Sequence, residues 1–190
     1  TEGYGLSLDV VNKTHKAGYN LIITVDTGVS ALEETRSACS LGVDMLILDH
    51  HEPPPELPPA AALLNPKRED STYPFRDLAG VGVAFKFLCA LGSTRGYDLD
   101  AMLEKYTELV ALGTIGDLVS LQDENRALVR MGLQRMQNTG NLGLQYLIDV
   151  SRYNEADKPD TFLVSFGLAP RINAAGRVWK PRAGVELLLA

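Results

Sequence analysis

The sequence predicts an α/β fold, a parallel sheet with flanking helices, followed by a mainly helical segment. Two short apolar runs, NLIITVD (20–26) and VDMLILD (43–49), have the length and continuity of buried strands. A stretch of helical spacing with its own start and stop signals separates them, which makes a βαβ unit. From residue 80 onward, helical spacing of apolar residues replaces the strand pattern.

In chain order, residues 6–17 carry a helical pattern closed by Gly18, and 20–26 form the first strand. After Thr27-Gly28, the run SALE places Ser30 at an N-cap and Glu33 three residues on, a capping box for a helix reaching Ser40. Gly42 closes that helix, and 43–49 is the second strand. The two strands should run parallel with a right-handed crossover. The proline-rich 53–59 is a stiff exit loop, and AALLN (61–65) is a third short strand. Helices are expected over 80–92, 99–112, 124–138 and 142–150, with GTIGDLVSL (113–121) as the join between the second and third. The polar SRYNEADKPD (151–160) reads as a boundary, and a further helix from 161 leads into APRINAAGR (169–177). The expected domains are therefore 1–150 and 151–190. The chain opens without methionine and stops inside an apolar helical pattern, GVELLLA, so it is expected to be an internal segment of a longer protein.

Composition excludes several classes. With 45% apolar and 22% charged residues the chain has ample core material and the balance of a globular protein. No apolar run is long enough to span a bilayer, and no basic-then-apolar leader opens the chain. Cys39 and Cys89 fall in helical patterns and are expected as small core residues rather than a disulfide, which suits a reducing, intracellular setting. His15 lies on an expected surface helix and reads as structural. The net charge of −6 argues against non-specific nucleic-acid binding by the chain as a whole. That charge is uneven: 161–185 holds Arg171, Arg177, Lys180 and Arg182 with no acid, so the last thirty residues carry +3 and the first 160 carry −9. An ordinary basic surface and a phosphate-binding surface both account for this stretch.

Chemistry gathers at one edge. In open parallel sheets, ligands bind beyond the carboxyl ends of the strands. Asp26 ends the first strand, and Asp49-His50-His51 ends the second, so both lie on that edge. Strands pair about 4.8 Å apart, which lets their end residues share one small ion. A carboxylate with an imidazole suits a borderline divalent cation such as Mn²⁺ or Zn²⁺. Taken alone, Asp26 would be an ordinary turn or cap residue, and a lone histidine a surface one. Two adjacent histidines after an aspartate, opposite a second strand-end aspartate, favour a metal or phosphate site.

VDTG, then LDHH, then GTIGDLVSL resemble the DHH phosphoesterase superfamily, with Asp49-His50-His51 at its signature triplet. Within it, EGYGLS (2–7), LAGVGVAFK (78–86), ENRALV (124–129) and PRINAAGR (170–177) are similar to the RecJ-like group of single-strand-specific 5′→3′ DNA exonucleases. The resemblance implies Asp26, His50 and Asp117 as ligands of a two-metal Mn²⁺ or Mg²⁺ site. It places His51 near the scissile phosphate and Asp49 behind the imidazoles, holding one in the right tautomer. Two divalent ions would neutralise the phosphodiester, activate water and stabilise the leaving oxygen. Arg171, Asn173 and Arg177 are then expected to contact a single strand or to support its cleft, Lys180 and Arg182 to neutralise further phosphates, and Trp179 either to stack a base or to pack in the core at the domain junction.

The resemblance further implies a bacterial cytoplasmic protein of DNA recombination and repair. It makes 1–150 the later part of a catalytic domain and 151–190 the start of a connector toward a second, DHHA1-type domain. The superfamily's upstream Asp-x-Asp strand has no counterpart before Asp26, so the chain alone is expected to bind metal weakly and be nearly inactive. The free sheet edge would favour non-native dimerisation. Alternatives within the superfamily are hydrolases of short oligonucleotides, cyclic dinucleotides or pyrophosphate, and a non-catalytic replication scaffold. The presence of Asp26, His50 and Asp117 speaks against the scaffold. A dinucleotide-binding oxidoreductase is disfavoured because DTGVSA lacks the G-x-G-x-x-G phosphate cradle.

Overall fold

Both apolar runs become strands, β1 (Leu21–Val25) and β2 (Asp44–Leu48), joined through a helix and paired in parallel from Leu21↔Asp44 to Val25↔Leu48. The third short run forms β3 (Ala62–Leu64), parallel to β2, so the sheet order is β1-β2-β3. The computed structural model describes residues 5–151, 158–178 and 181–190, the side chains of 176–178 and 181 excepted. Trp179, Lys180 and most of the expected boundary at 151–160 lie outside the described residues.

The chain divides into two compact units at Ala90/Leu91. In the first unit, alternation along β2 decides which face each helix covers. Met45 and Ile47 are buried with Val11 of α1 (Leu8–Lys16) and Ala38 of α2 (Leu32–Ser40). Leu48 is buried on the other face with Val83 of α3 (Gly80–Thr94), and Leu46 packs there too. A parallel sheet needs cover on both faces, and β2 has it. β1 does not: Leu21, Ile23 and Val25 are each about half exposed.

The second unit is helical, with α4 (Leu99–Gly116), α5 (Asp123–Met136), α6 (Leu142–Asp149), α7 (Ala169–Val178) and α8 (Pro181–Leu188). Its core draws on Ala111 and Ile115 of α4, Val129 and Met136 of α5, and Leu144 and Leu147 of α6.

Four details depart from the sequence reading. The Ser30–Glu33 capping box does not form: α2 starts at Leu32 with Ala31 as its N-cap and no side-chain cap bond. A tight turn, with the Ala31 N–H donating to Gly28 O at 3.0 Å, shifts the helix start past Ser30. α4 continues through Gly113 to Gly116, so half of the expected join is helix. Glycine costs a helix about 1 kcal/mol, which the burial of Thr114 and Ile115 offsets. The helix expected from 161 contains a π-helical turn, Leu163–Leu168, ahead of α7. Cys39 lies on α2 but is exposed, its thiol donating to Pro59 O at 3.3 Å; Cys89 is half-buried and its thiol is pushed up by burial. Neither forms a disulfide.

Candidate metal centre

Strand ends build the site. The Asp26 N–H donates to Leu48 O at 2.8 Å, and the Asp49 N–H donates to Leu64 O at 3.0 Å. Each aspartate is thereby tied to the neighbouring strand one residue past its own. Asp26 has φ 63°, in the left-handed region, which aspartate tolerates better than most residues but which still costs about 1 kcal/mol. Gly28 follows at φ 113°, and a methyl there would lie 2.7 Å from Thr24 Oγ1 and 3.3 Å from Ile47 Cγ2. The Thr-Gly turn is sharp, and its glycine packs down onto the sheet.

Asp49 is the buried anchor, 1% exposed. Its Oδ2 accepts from the Val29 N–H at 2.8 Å. Its Oδ1 accepts from the His50 N–H at 2.8 Å and the His51 N–H at 3.3 Å, and pairs with His51 Nδ1 at 2.7 Å. Burial alone would push this carboxyl up, but the Val29 N–H, the His51 ring and the two histidine N–H groups outweigh it and hold the carboxyl below its ordinary range. As acceptor-only carboxylate, Asp49 keeps a proton on His51 Nδ1 and leaves Nε2 as the lone-pair nitrogen.

His50 is buried and its Nε2 stands 3.0 Å from Asp26 Oδ1. Asp26, His50 and His51 each offer one ligand atom, and these atoms lie within 4.8 Å of one another. One carboxylate and two imidazoles so spaced fit a divalent cation, since ligands about 2.1 Å from an ion stand roughly 3–4 Å apart. Asp26, His50 and His51 are thus brought together, with Asp49 behind them. His51, which the resemblance set against phosphate, has its ligand atom in the same donor group. Asn65, at the end of β3 on the same edge, was missed: it is buried, and its Nδ2 donates to His51 O at 2.8 Å. The strand-edge argument applied to AALLN would have found it.

The remaining expected site residues belong to the second unit. Asp117 is the exposed C-cap of α4, its N–H donating to Gly113 O at 2.9 Å. Arg171 and Asn173 are exposed on α7, where Arg171 Nη1 donates to Gly167 O at 2.8 Å in the π-helical turn. Arg177 lies on α7 with its side chain outside the described residues, and Lys180 is wholly outside them. Arg182 is exposed and paired with Glu186, Nε to Oε1 at 2.6 Å.

Residues 4–114 match the model of the DHH family, N-terminal domain. The single-stranded-DNA-specific exonuclease RecJ of Bacillus subtilis (strain 168) is 44% identical over 189 residues, covering 100% of this chain and 23% of that protein. The chain thus spans about a quarter of that relative's length. A crystal structure of exonuclease RecJ bound to manganese matches with TM-score 0.85 and 35% identity, over 99% of this chain and 46% of that one. The crystal structure of Thermus thermophilus RecJ in complex with Mn²⁺ matches with TM-score 0.83 and 34% identity, over 97% of this chain and 27% of that one.

Proposed function

The chain belongs to the DHH family, and on that premise we propose that its metal centre serves hydrolysis of phosphodiester bonds in single-stranded DNA, from the 5′ end. One observation carries the reading: Asp26, His50 and His51 present their ligand atoms as one group at the carboxyl ends of β1 and β2. The relatives' names support the substrate, and the solved structures with manganese support the metal.

Bound there, Mn²⁺ or Mg²⁺ would neutralise the phosphodiester and lower the pKa of a water. Asp26 supplies the charged ligand, and His50 a ring whose backbone N–H Asp49 fixes. Asp49 keeps the proton on His51 Nδ1, so that His51 Nε2 turns toward metal or phosphate. Asp117 is the further metal carboxylate of this reading. Arg171, Asn173, Arg177, Lys180 and Arg182 are its contacts to the strand's phosphates. Residues 1–150 form the catalytic part and 151–190 the connector to a second domain. Among the described residues no helix is long and apolar enough to cross a membrane. A bacterial cytoplasmic role in recombination and repair completes the proposal.

The test combines Mn²⁺ titration, followed by electron paramagnetic resonance, with digestion of 5′-labelled long single strands, duplexes and dinucleotides. Saturable Mn²⁺ binding that His50→Ala weakens at least roughly tenfold is expected. Digestion of single strands over duplex should depend on Mn²⁺, be slight in this chain by itself, and be lost in His51→Ala. Preference for dinucleotides would move the protein to the small-phosphodiester branch of the family. Mn²⁺ binding indifferent to His50→Ala would overturn the site.

A further inference from the structure

We infer that Gly80, the first residue of α3, is a positioning residue of the metal centre: its missing side chain makes the space in which the Asp26 carboxylate stands. The inference deepens the metal reading above and rests on it.

A methyl at Gly80 would collide with Asp26 Oδ1 and would lie 2.7 Å from Asp26 Cγ and 2.9 Å from its Cβ. Carbon atoms that are not bonded do not approach so closely, so one partner must move. α3 cannot easily retreat. Leu78 and Ala79, directly before it, are 2% and 0% exposed, and the Val83 N–H, from a residue also in the core, donates to Ala79 O at 3.0 Å. Asp26 has little backbone freedom either, since it is already left-handed and its N–H is tied to Leu48 O. The displacement therefore falls on Asp26: its carboxylate rotates away from Gly80 and its Cβ, which no rotation moves, is pushed back with the turn, so that Oδ1 leaves its place 3.0 Å from His50 Nε2. In sequence Gly80 reads only as a helix start. Its second role depends on an aspartate 54 positions earlier, which only the fold brings against it.

The experiment is a double-mutant cycle on the full chain with Gly80→Ala, Asp26→Gly and the pair, plus Gly82→Ala as a control on the same helix. The nearest atoms to the added methyl of Gly82→Ala belong to the flexible Leu78 side chain, at 3.1 Å and beyond. Gly80→Ala should raise the Mn²⁺ dissociation constant at least roughly tenfold, and Gly82→Ala less than about twofold. In EDTA, Gly80→Ala should lower the thermal midpoint when Asp26 is present. It should not do so in the Asp26→Gly background, where alanine is the better helix former. Mn²⁺ affinity of Gly80→Ala within about twofold of wild type would overturn the inference, as would an equal loss of midpoint in both backgrounds. If Gly80→Ala alone fails to fold, a folded double variant supports the inference and an unfolded one refutes it. Wild-type protein that binds no Mn²⁺ would sink the metal reading, while the metal-free cycle would still decide the role of Gly80.

Discussion

Replacing Asp49 by asparagine keeps the side chain's shape and removes one acceptor from a buried carboxylate that takes four hydrogen bonds. Two of the four donors, the ring and N–H of His51, belong to an exposed residue that water can serve. The N–H groups of Val29 and His50 are buried and have no such recourse. With the asparagine oxygen turned toward His50, its amide must face the Val29 N–H, donor against donor. A lost charge-assisted bond with a buried donor left over costs about 2–3 kcal/mol. For a unit of about 90 residues that is a fall of roughly 10–20 °C in thermal midpoint, read by circular dichroism in EDTA. The pH dependence follows from the direction of the Asp49 shift. Because the folded carboxyl sits below its ordinary value, its stabilisation is complete above about pH 4 and is lost as pH falls through the folded value. The gap between wild type and Asp49→Asn should narrow below about pH 4. A deficit under about 0.5 kcal/mol, or one that persists undiminished to pH 3, would refute the reasoning.

Three further outcomes are expected. Gly132→Ala should cost about 1–3 kcal/mol in urea unfolding, because a methyl at Gly132 on α5 would press on Ala111 and on the Thr107 carbonyl of α4. β1 is an edge strand with a half-exposed apolar stripe, so the protein should associate as concentration rises, and Ile23→Lys should suppress this in light scattering. Arg171→Ala should weaken single-strand binding in fluorescence anisotropy and reduce its log–log salt dependence by about 0.7, the value of one phosphate contact. An unchanged slope would leave Arg171 only its bond to Gly167 O.

Much of the first unit was legible because its signals are local. Buried parallel strands read as continuous apolar runs, and the strand-end rule then puts Asp26 and Asp49-His50-His51 on one edge without reference to any contact. The same locality misled elsewhere. Ser30 and Glu33 have the right spacing for a capping box, yet the turn after Gly28 decides where α2 begins. Gly113 and Gly116 look like helix breakers, yet α4 runs through them because Thr114 and Ile115 have a core to enter. Cys39 has a helical pattern around it, but which side of α2 meets the sheet is set by Thr35 and Ala38, and Cys39 is left outside.

What stayed illegible at the site shares one physical character: it belongs to pairs of residues far apart in sequence. The tautomer of His51 depends on a carboxylate two residues away and could be read from the triplet. The left-handed turn at Asp26 could not, because an isolated Asp-Thr-Gly is compatible with several turns. This one is selected when the Asp26 N–H meets Leu48 O and Gly28 drops onto Thr24 and Ile47. Asp26 thus reaches His50 through a backbone conformation that tertiary contacts hold at a cost, a pattern common where geometry serves chemistry. A site assembled this way has an uneven response to mutation. Changing a ligand removes one donor, whereas changing Gly28 or Gly80, neither of which offers a ligand atom, moves a donor that is still present. The second kind of damage should appear in metal affinity while the ligand set looks intact.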